Sequence, residues 1–482
     1  RTISSHIMSV KRISKNMFAL FLAEVISKVL LFILMVYAAR MLGVALYGKL
    51  TFALSFAVLT IILSDLGINS FLIREIARQK DLASKYFMNA FIAKIFLAIG
   101  SLTFVIIFLN LLRFPEETKT IVYVMWFFTT MSTFTDLLYS IFRAFERMQY
   151  DAFLKILRMV LLLSIGIYIL FQGYGLFIFG LAFVFVEVIV FLTALSLGLL
   201  KFIRLELNIN FNFIKNLVKS AFPFGLAIIF GSIYFHIDSV MLSKLRGDIE
   251  VGIYSVAYNL VIALLFIPAV YINAIYPVMS RYFKTSVDML ISIHKRSIKY
   301  LYIIGLPISV GLFFLADEVI GFFYGEPYKS SALALKIISG FVFIKFVNFL
   351  NGMTLYSIDK QGKRTVSQGL AAVFNIVLNL FLIPPFGFVG AAIATLLTEI
   401  FLFIFYFRYV SQYLYTPKII PIMIKPALAS VVMALFLIYG NINLFISIIV
   451  GSLIYFGMLI LIKGFKTEDY KTLKKIFRLE NE

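Results

Sequence analysis

The sequence contains no cysteine and comparatively few charged residues. The absence of cysteine excludes disulfide bonds, thiol catalysis and cysteine-ligated metal sites. Charged residues make up 14% of the chain, whereas soluble globular proteins contain roughly 25%, so this chain has too few to cover a surface that faces water. Because 62% of the residues are hydrophobic and the mean hydropathy is +1.00, we predict an integral membrane protein.

Catalytic motifs are also missing from the sequence. The three histidines, His6, His236 and His294, are scattered and have no metal-ligand spacing. There is no glycine-rich phosphate loop, no H-E-x-x-H motif and no nucleophile elbow. We therefore expect a protein that is not an enzyme and that holds no metal or cofactor. Its function should depend on polar residues within apolar segments.

What the chain does contain is a series of long apolar runs. A helix needs about 20 such residues to cross the hydrocarbon core of a bilayer. The sequence predicts an all-α polytopic protein with about fourteen transmembrane helices, at residues 16–39, 50–72, 86–112, 120–142, 153–172, 175–199, 220–243, 252–278, 299–322, 332–354, 366–383, 387–407, 422–440 and 444–462.

Basic residues are distributed unevenly between the connections of these helices. Alternate connections and both chain ends contain most of the lysines and arginines, whereas the opposite connections contain few, such as Arg40 and Lys49. The net charge of +20 therefore reflects membrane topology rather than nucleic-acid binding. We predict that both termini are cytoplasmic and that the protein lies in the plasma membrane. The short outer connections disfavour membrane glycosyltransferases and ligases that work in large outer loops.

Several motifs occur along the chain in a specific order. They include residues 39–43 (ARMLG), 65–67 (DLG), 142–148 (FRAFERM) and 372–399 (AVFNIVLNLFLIPPFGFVGAAIATLLTE). In order and spacing these motifs resemble the polysaccharide-biosynthesis family, the Wzx-type flippases of lipid-linked oligosaccharides. This family belongs to the MOP superfamily, which also contains the MATE exporters and the lipid II flippase.

A weak internal repeat accompanies this resemblance. Gly48 and Ala53 have counterparts at Gly252 and Ala257, at the same offset. The repeat and the resemblance together imply two six-helix lobes around a central cavity, related by an axis along the membrane normal, plus two C-terminal helices. The predicted division is an expression remnant at 1–7, an N-lobe at 8–199, a cytoplasmic connection at 200–219, a C-lobe at 220–411, and two appended helices with a basic tail at 412–482.

Polar and charged residues inside the predicted helices are the functional candidates, because each charge costs at least ~2.5–3.5 kcal/mol at a helix centre. Glu24 and Lys28 stand one turn apart and can pair. The candidates for binding an anionic or sugar head group are Lys28, Lys94, Lys345, Asn348, Asn375, Asn379 and His236. Each also has a structural interpretation, as part of an ion pair or of a hydrogen bond between helices.

The resemblance adds two further sets of residues. In the exporter-like relatives, carboxylates inside the lobes bind protons or sodium, which implies that coupling candidates here are Glu24, Asp136, Glu187, Asp238 and Glu399. A cytoplasmic entrance that gathers a phosphorylated lipid could use Arg74, Arg78, Arg143 and Arg147, although topology alone also explains these arginines.

The expected function is a flippase that moves polyprenyl phosphate or pyrophosphate sugars to the outer leaflet by alternating access, for assembly of cell-surface polysaccharide or glycoprotein. Its partners would be the lipid bilayer, the lipid-linked oligosaccharide and glycosyltransferases or a polymerase of the same pathway. Coupling to sodium, protons or membrane potential is possible. Two alternatives stay open: a MATE-type exporter of cationic compounds, and a non-transporting membrane scaffold for glycan assembly.

Overall fold

The computed structural model describes residues 2–204, 208–440 and 442–465, with the side chains of residues 2–19 and 227 excepted. These ranges contain sixteen α-helices and no strand. In chain order the helices are α1 (Thr2–Asp65), α2 (Ile68–Arg78), α3 (Ala83–Leu111), α4 (Glu116–Ala144), α5 (Met148–Phe171), α6 (Gly175–Lys201), α7 (Phe211–Arg246), α8 (Asp248–Leu264), α9 (Phe266–Thr285), α10 (Val287–Phe314), α11 (Ala316–Tyr324), α12 (Ser331–Ser339), α13 (Val342–Ser357), α14 (Gln361–Tyr413), α15 (Ile419–Tyr439) and α16 (Leu444–Leu461).

The lengths and hydropathies of these helices confirm a multi-pass membrane protein. In the described part of the chain, 11 helices are long and apolar enough to cross a bilayer, or up to 12 if α12 and α13 together form one bent span. Two of them, α1 and α14, contain a break in their helical backbone. The predicted count of fourteen is compatible with this arrangement, because dividing α1 and α14 at their breaks gives two further segments.

Both breaks occur at glycines with positive φ. Gly43 has φ 76° within α1, and Gly387 has φ 56° within α14, a backbone region that side chains with a Cβ rarely adopt. At the second break, Glu250 Oε2 accepts a hydrogen bond of 2.7 Å from the backbone N–H of Phe388. The carboxylate satisfies an N–H that the broken helix leaves without an intrahelical partner. The turn predicted between 366–383 and 387–407 lies at this break, where the chain folds back so that the rings of Phe374 and Phe401 stack with centroids 4.3 Å apart.

Some predicted boundaries are wrong by more than a turn. The span predicted at 50–72 ends at Asp65, because Leu66 and Gly67 have φ values of 46° and 81° and terminate the helix. The chain beyond Asp65 therefore forms the separate helix α2, which carries Arg74 and Arg78. In addition, the segment predicted at 332–354 consists of two helices, α12 and α13, which meet at a bend of 48°.

Contacts along the chain define two compact units. The first contains the residues up to Asn259 together with Asn375–Ala391, and the second contains Leu260–Phe374 and the described residues from Ala392 onward. In the first unit, α1 and α8 approach very closely at Gly48 and Gly252. A Cβ at Gly48 would collide with the carbonyl of Asp248, and a Cβ at Gly252 would collide with the carbonyl of Val44. The two glycines of the internal repeat therefore pack at one helix crossing.

The second unit has its own hydrophobic cluster, formed by α10, α15 and α16. Its buried members are Ile303, Ala429, Met433, Tyr455 and Leu459. The hydroxyl of Tyr455 donates a hydrogen bond of 2.8 Å to the carbonyl of Ile303, so the one polar atom of this ring is satisfied inside the apolar cluster. The lobe boundaries stay a prediction, and the predicted basic tail lies outside the described residues from position 466 onward.

Candidate functional site

A polar cavity of about 320 Å³ lies in the first unit, lined by α1, α2, α4 and α7. Its polar lining includes Asp65, Asn69, Thr133, Asp136, Ser140 and Arg143. Three of these residues, Asp136, Ser140 and Arg143, lie on α4 at spacings of four and seven residues and therefore share a face of that helix. The cavity brings together carboxylate, amide, hydroxyl and guanidinium groups in an otherwise apolar region.

A buried ion pair forms one wall of this cavity. Lys94 of α3 is fully buried, and its Nζ lies 2.6 Å from Asp65 Oδ1 at the end of α1. The same ammonium donates a hydrogen bond of 2.9 Å to the carbonyl of Thr133 on α4. Lys94 therefore joins three helices through one charge. The pair satisfies the requirement that a charge inside a bilayer has an opposite charge or a hydrogen-bond acceptor beside it.

A chain of charges continues from Arg143 of the cavity lining. Arg143 Nε donates to Asp151 Oδ2 at 2.6 Å, and Lys155 Nζ lies 3.4 Å from the other oxygen of Asp151. Lys155 also contacts Glu24 Oε1 at 3.0 Å. Asp136 differs from these acids, because its carboxylate lines the cavity without a hydrogen bond from any described residue.

Glu187 lies elsewhere in the first unit, buried between α4, α5 and α6. Its Oε1 accepts hydrogen bonds from Arg158 at 2.8 Å and from the hydroxyl of Thr135 at 2.6 Å. The arrangement is an ion pair with a further donor, which is the geometry that stabilises a carboxylate away from water. The predicted coupling role of Glu187 stays a prediction, and its structural role is to connect these three helices.

Another buried carboxylate of the first unit belongs to Asp238 on α7. Its Oδ2 accepts a hydrogen bond of 2.8 Å from the hydroxyl of Tyr254, and its Oδ1 accepts one of 2.6 Å from Asn379 Nδ2. Asn379 also donates to Asn375 Oδ1 at 3.0 Å, so the two asparagines share one face of α14. These predicted substrate-binding and coupling residues therefore form a single buried network.

The second unit contains another buried ion pair, between Lys345 of α13 and Glu399 of α14. Lys345 Nζ contacts Glu399 Oε1, and Asn348 Nδ2 donates bonds of 3.0 Å to both Glu399 Oε2 and the Glu399 carbonyl. The side chains of Lys345 and Glu399 are 6% and 1% exposed. Lys345 and Asn348, three residues apart on α13, thus contact the same acid, which was predicted for coupling rather than for substrate binding.

The remaining candidates are more exposed. Lys28 is exposed, and the described residues give it no ion-pair partner. The expected pair of Glu24 with Lys28 is wrong, because Lys155 of α5 reaches Glu24 instead. Arg74 and Arg78 are exposed and both contact Glu75, at 2.8 and 3.4 Å. Among the other candidates, Arg147 is exposed and His236 is half-buried.

Sequence reasoning missed several residues that complete these sites. Asp65 was noted only as part of the 65–67 motif, and Arg158 and Tyr254 were not singled out. The signal that could have identified Asp65 was its position at the end of a long apolar run, where an acid requires a cationic partner. Within the described ranges, no group of three or more histidine or acidic side chains could hold a metal ion.

Comparisons with known proteins place the chain in a family. The sequence model of the polysaccharide biosynthesis proteins matches residues 13–283, more than half of the chain, and the MatE model matches residues 223–383. The "probable low-salt glycan biosynthesis flippase Agl15" of Haloferax volcanii is 25% identical over 256 residues, covering 51% of this chain and 54% of that protein. The chain spans about half the length of the curated relatives it matches.

Solved structures give the fold. The lipid II flippase MurJ, in an inward closed conformation, superposes with a TM-score of 0.78 at 16% sequence identity. The superposition covers 92% of this chain and 98% of the MurJ chain. The MATE transporter VcmN of Vibrio cholerae superposes with a TM-score of 0.56 at 15% sequence identity. That superposition covers 85% of this chain and 99% of the VcmN chain. At these identities the likeness establishes a MurJ- and MATE-like fold.

Proposed function

The chain belongs to the polysaccharide biosynthesis protein family, and on that premise we propose that it is a flippase of lipid-linked oligosaccharides. In this proposal a polyprenyl phosphate or pyrophosphate that carries sugars moves from the cytoplasmic to the outer leaflet, for polysaccharide or glycoprotein assembly at the cell surface. The protein lies in the plasma membrane with both termini in the cytoplasm, and it makes or breaks no covalent bond of its substrate. The name of the relative Agl15, a glycan biosynthesis flippase, supports this assignment.

The polar cavity of the first unit is the observation that carries the proposal. Sugar hydroxyls both donate and accept hydrogen bonds, and the Asp136 carboxylate, the Asn69 amide and the Ser140 hydroxyl offer complementary groups. The volume of about 320 Å³ lies within the range of roughly 300–1,000 Å³ that is usual for ligand pockets. We place one sugar of the substrate in this cavity, with Asp136 as its hydrogen-bond acceptor.

The charge of the substrate phosphate must be compensated by cations as it crosses the membrane. Lys94 and Lys345 were predicted for this role, but each already contacts a carboxylate, Asp65 or Glu399. A phosphate would have to compete with that carboxylate for the ammonium. Lys28 is exposed and is therefore the candidate that a phosphate can approach without breaking an ion pair. We assign the phosphate contact to Lys28 and hold Lys94 as a second, exchangeable contact.

Transport against a gradient requires coupling to an ion or to the membrane potential. We propose Asp238 as the coupling acid, because a proton or sodium ion on its carboxylate would compete with the hydrogen bonds from Tyr254 and Asn379. Occupancy of Asp238 would then alter the connection between α7, α8 and α14. Rocking of one helix group against another would expose the substrate on the outer side.

Headgroup translocation of a short fluorescent lipid-linked oligosaccharide in proteoliposomes tests this function. We expect Asp136→Asn to slow translocation by about tenfold, as the loss of a hydrogen bond to a charged acceptor predicts, and Lys28→Ala to slow it as well. The matched controls are Glu116→Gln, an exposed acid at the start of the same helix, and Lys329→Ala, an exposed lysine. Equal rates for Asp136→Asn and Glu116→Gln would contradict a role for the cavity.

The alternative with a specific observation in its favour is a MATE-type exporter of cationic compounds, because the MatE model matches residues 223–383. An exporter would leave the lipid-linked oligosaccharide in place, with or without an imposed sodium or proton gradient, and would remove a cationic dye from loaded vesicles. A scaffold for glycan-assembly enzymes would do neither. Asp238→Asn should remove the gradient dependence of whichever substrate moves.

A further inference from the structure

A basic cavity lies in the second unit, away from the sites described above. Its volume is about 600 Å³, and it is lined by the first half of α10, the start of α15 and the residues that follow α16. The lysines in its lining are Lys295, Lys299, Lys418, Lys425 and Lys463, with Arg296 beside them. Such a concentration of cations in one concave surface favours an anionic ligand.

Two contacts fix the position of cations at this cavity. Lys425 Nζ donates a hydrogen bond of 2.8 Å to the carbonyl of Lys463, which ties the start of α15 to the end of α16. Lys295 Nζ lies 5.0 Å from the centre of the Tyr415 ring, within the range of a cation–π interaction. Both ammonium groups are therefore held by the fold rather than left to vary freely, which lowers the entropic cost of binding an anion.

The cavity also has an apolar side. Ile303, Pro421, Ile422 and Pro426 complete its lining, and Ile303 and Pro426 are buried. A site for a free inorganic anion gains nothing from apolar walls, whereas the first methylene groups of a lipid chain would pack against them. The combination of cations and aliphatic side chains fits an amphiphile.

An exposed apolar stripe leads away from the cavity along α15. Leu428, Val432 and Leu435 follow Lys425 at offsets of three, seven and ten residues, so they lie on nearly the same face of the helix. Leu428 is 52% exposed, Val432 36% and Leu435 51%. A hydrocarbon chain extending from a head group at Lys425 would therefore meet apolar side chains for about three turns.

We propose that this cavity binds the phosphate group of an anionic membrane lipid, with the hydrocarbon chain of that lipid lying along Leu428, Val432 and Leu435. Lys295 lies between the eighth and ninth predicted spans and Lys418 between the twelfth and thirteenth, so both are expected on the cytoplasmic side. On that side, basic pockets between transmembrane helices bind lipid phosphates. This site lies in the second unit, contains none of the residues assigned to the transported substrate, and goes beyond the proposed function.

Titration of the purified full chain tests the proposal. Phosphatidic acid is added in mixed micelles with phosphatidylcholine, and inorganic pyrophosphate is added in a separate arm without lipid. The test variant is Lys295→Ala with Lys418→Ala, which keeps the bond between Lys425 and Lys463. We expect it to weaken phosphatidic acid binding by about 30-fold, because each lysine near an anionic headgroup contributes about a factor of five.

The control variant is Lys80→Ala with Lys284→Ala, which removes two exposed lysines of the predicted cytoplasmic side that do not line the cavity. It should bind phosphatidic acid like the wild type. An equal loss in both variants would mean that only bulk charge attracts the lipid, and the proposal would be wrong. Pyrophosphate binding as tight as phosphatidic acid binding, or no binding of either, would overturn the assignment of a lipid.

Discussion

The ion pairs Lys94–Asp65 and Lys345–Glu399 have the same chemistry and different surroundings. In the first unit, Lys94 is fully buried, but Asp65 is 14% exposed and lines a polar cavity. In the second unit, Glu399 is 1% exposed and receives two further hydrogen bonds from Asn348. Water or a ligand can therefore replace a partner of Asp65, whereas the Glu399 pair is enclosed by protein. The comparison indicates that the exposure of the acid, rather than that of the lysine, decides whether water or a ligand can reach such a pair.

The largest expected effect is the loss of Lys345 from the enclosed pair. Lys345→Met leaves the Glu399 carboxylate buried without its cation, which should lower the free energy of unfolding by about 3–5 kcal/mol. Adding Glu399→Gln should restore most of that stability, because the neutral amide still offers an acceptor to Asn348. Thermal unfolding of the purified variants in detergent measures both. A double variant that is no more stable than Lys345→Met would show that the pair is not enclosed as described.

A smaller loss of stability is expected in the first unit. Lys94→Met leaves Asp65 unpaired, but the cavity allows water to solvate its carboxylate, so the loss should be about 1–3 kcal/mol. For equal amounts of folded protein in proteoliposomes, Lys94→Met should also translocate the head group more slowly than the wild type. Equal midpoints of thermal unfolding for Lys94→Met and Lys345→Met would contradict the difference in surroundings that we describe for the two pairs.

The smallest effect is expected for the exposed end of the charge chain at Glu24. Its side chain is 50% exposed and contacts Lys155, while Asp151 keeps both Arg143 and Lys155 after its removal. Glu24→Gln should therefore change the free energy of unfolding by less than about 1 kcal/mol, as usual for an ion pair in contact with water. This variant serves as the reference for the two buried pairs. A loss as large as that of Lys94→Met would show that exposure does not rank these pairs.

Pairing by local spacing was reliable for some residues and misleading for others. Asn375 and Asn379, four residues apart, contact each other, and both side chains are buried. Glu24 and Lys28 have the same spacing, but both are exposed, and Glu24 contacts the more distant Lys155. The sequence specifies which residues share a helix face, and it leaves open what that face meets.

The sequence by itself determined the class of this protein. Long apolar runs, alternating basic connections and ordered motifs are local properties, and they identified a multi-pass helical membrane protein of the polysaccharide biosynthesis family. The kinks were also marked locally, by Gly43 and Gly387. Only the tertiary structure decided that Lys94 contacts Asp65 and that Lys345 contacts Glu399. Those partners are 29 and 54 residues apart, and their meeting depends on how each helix is rotated and packed, which no local pattern encodes.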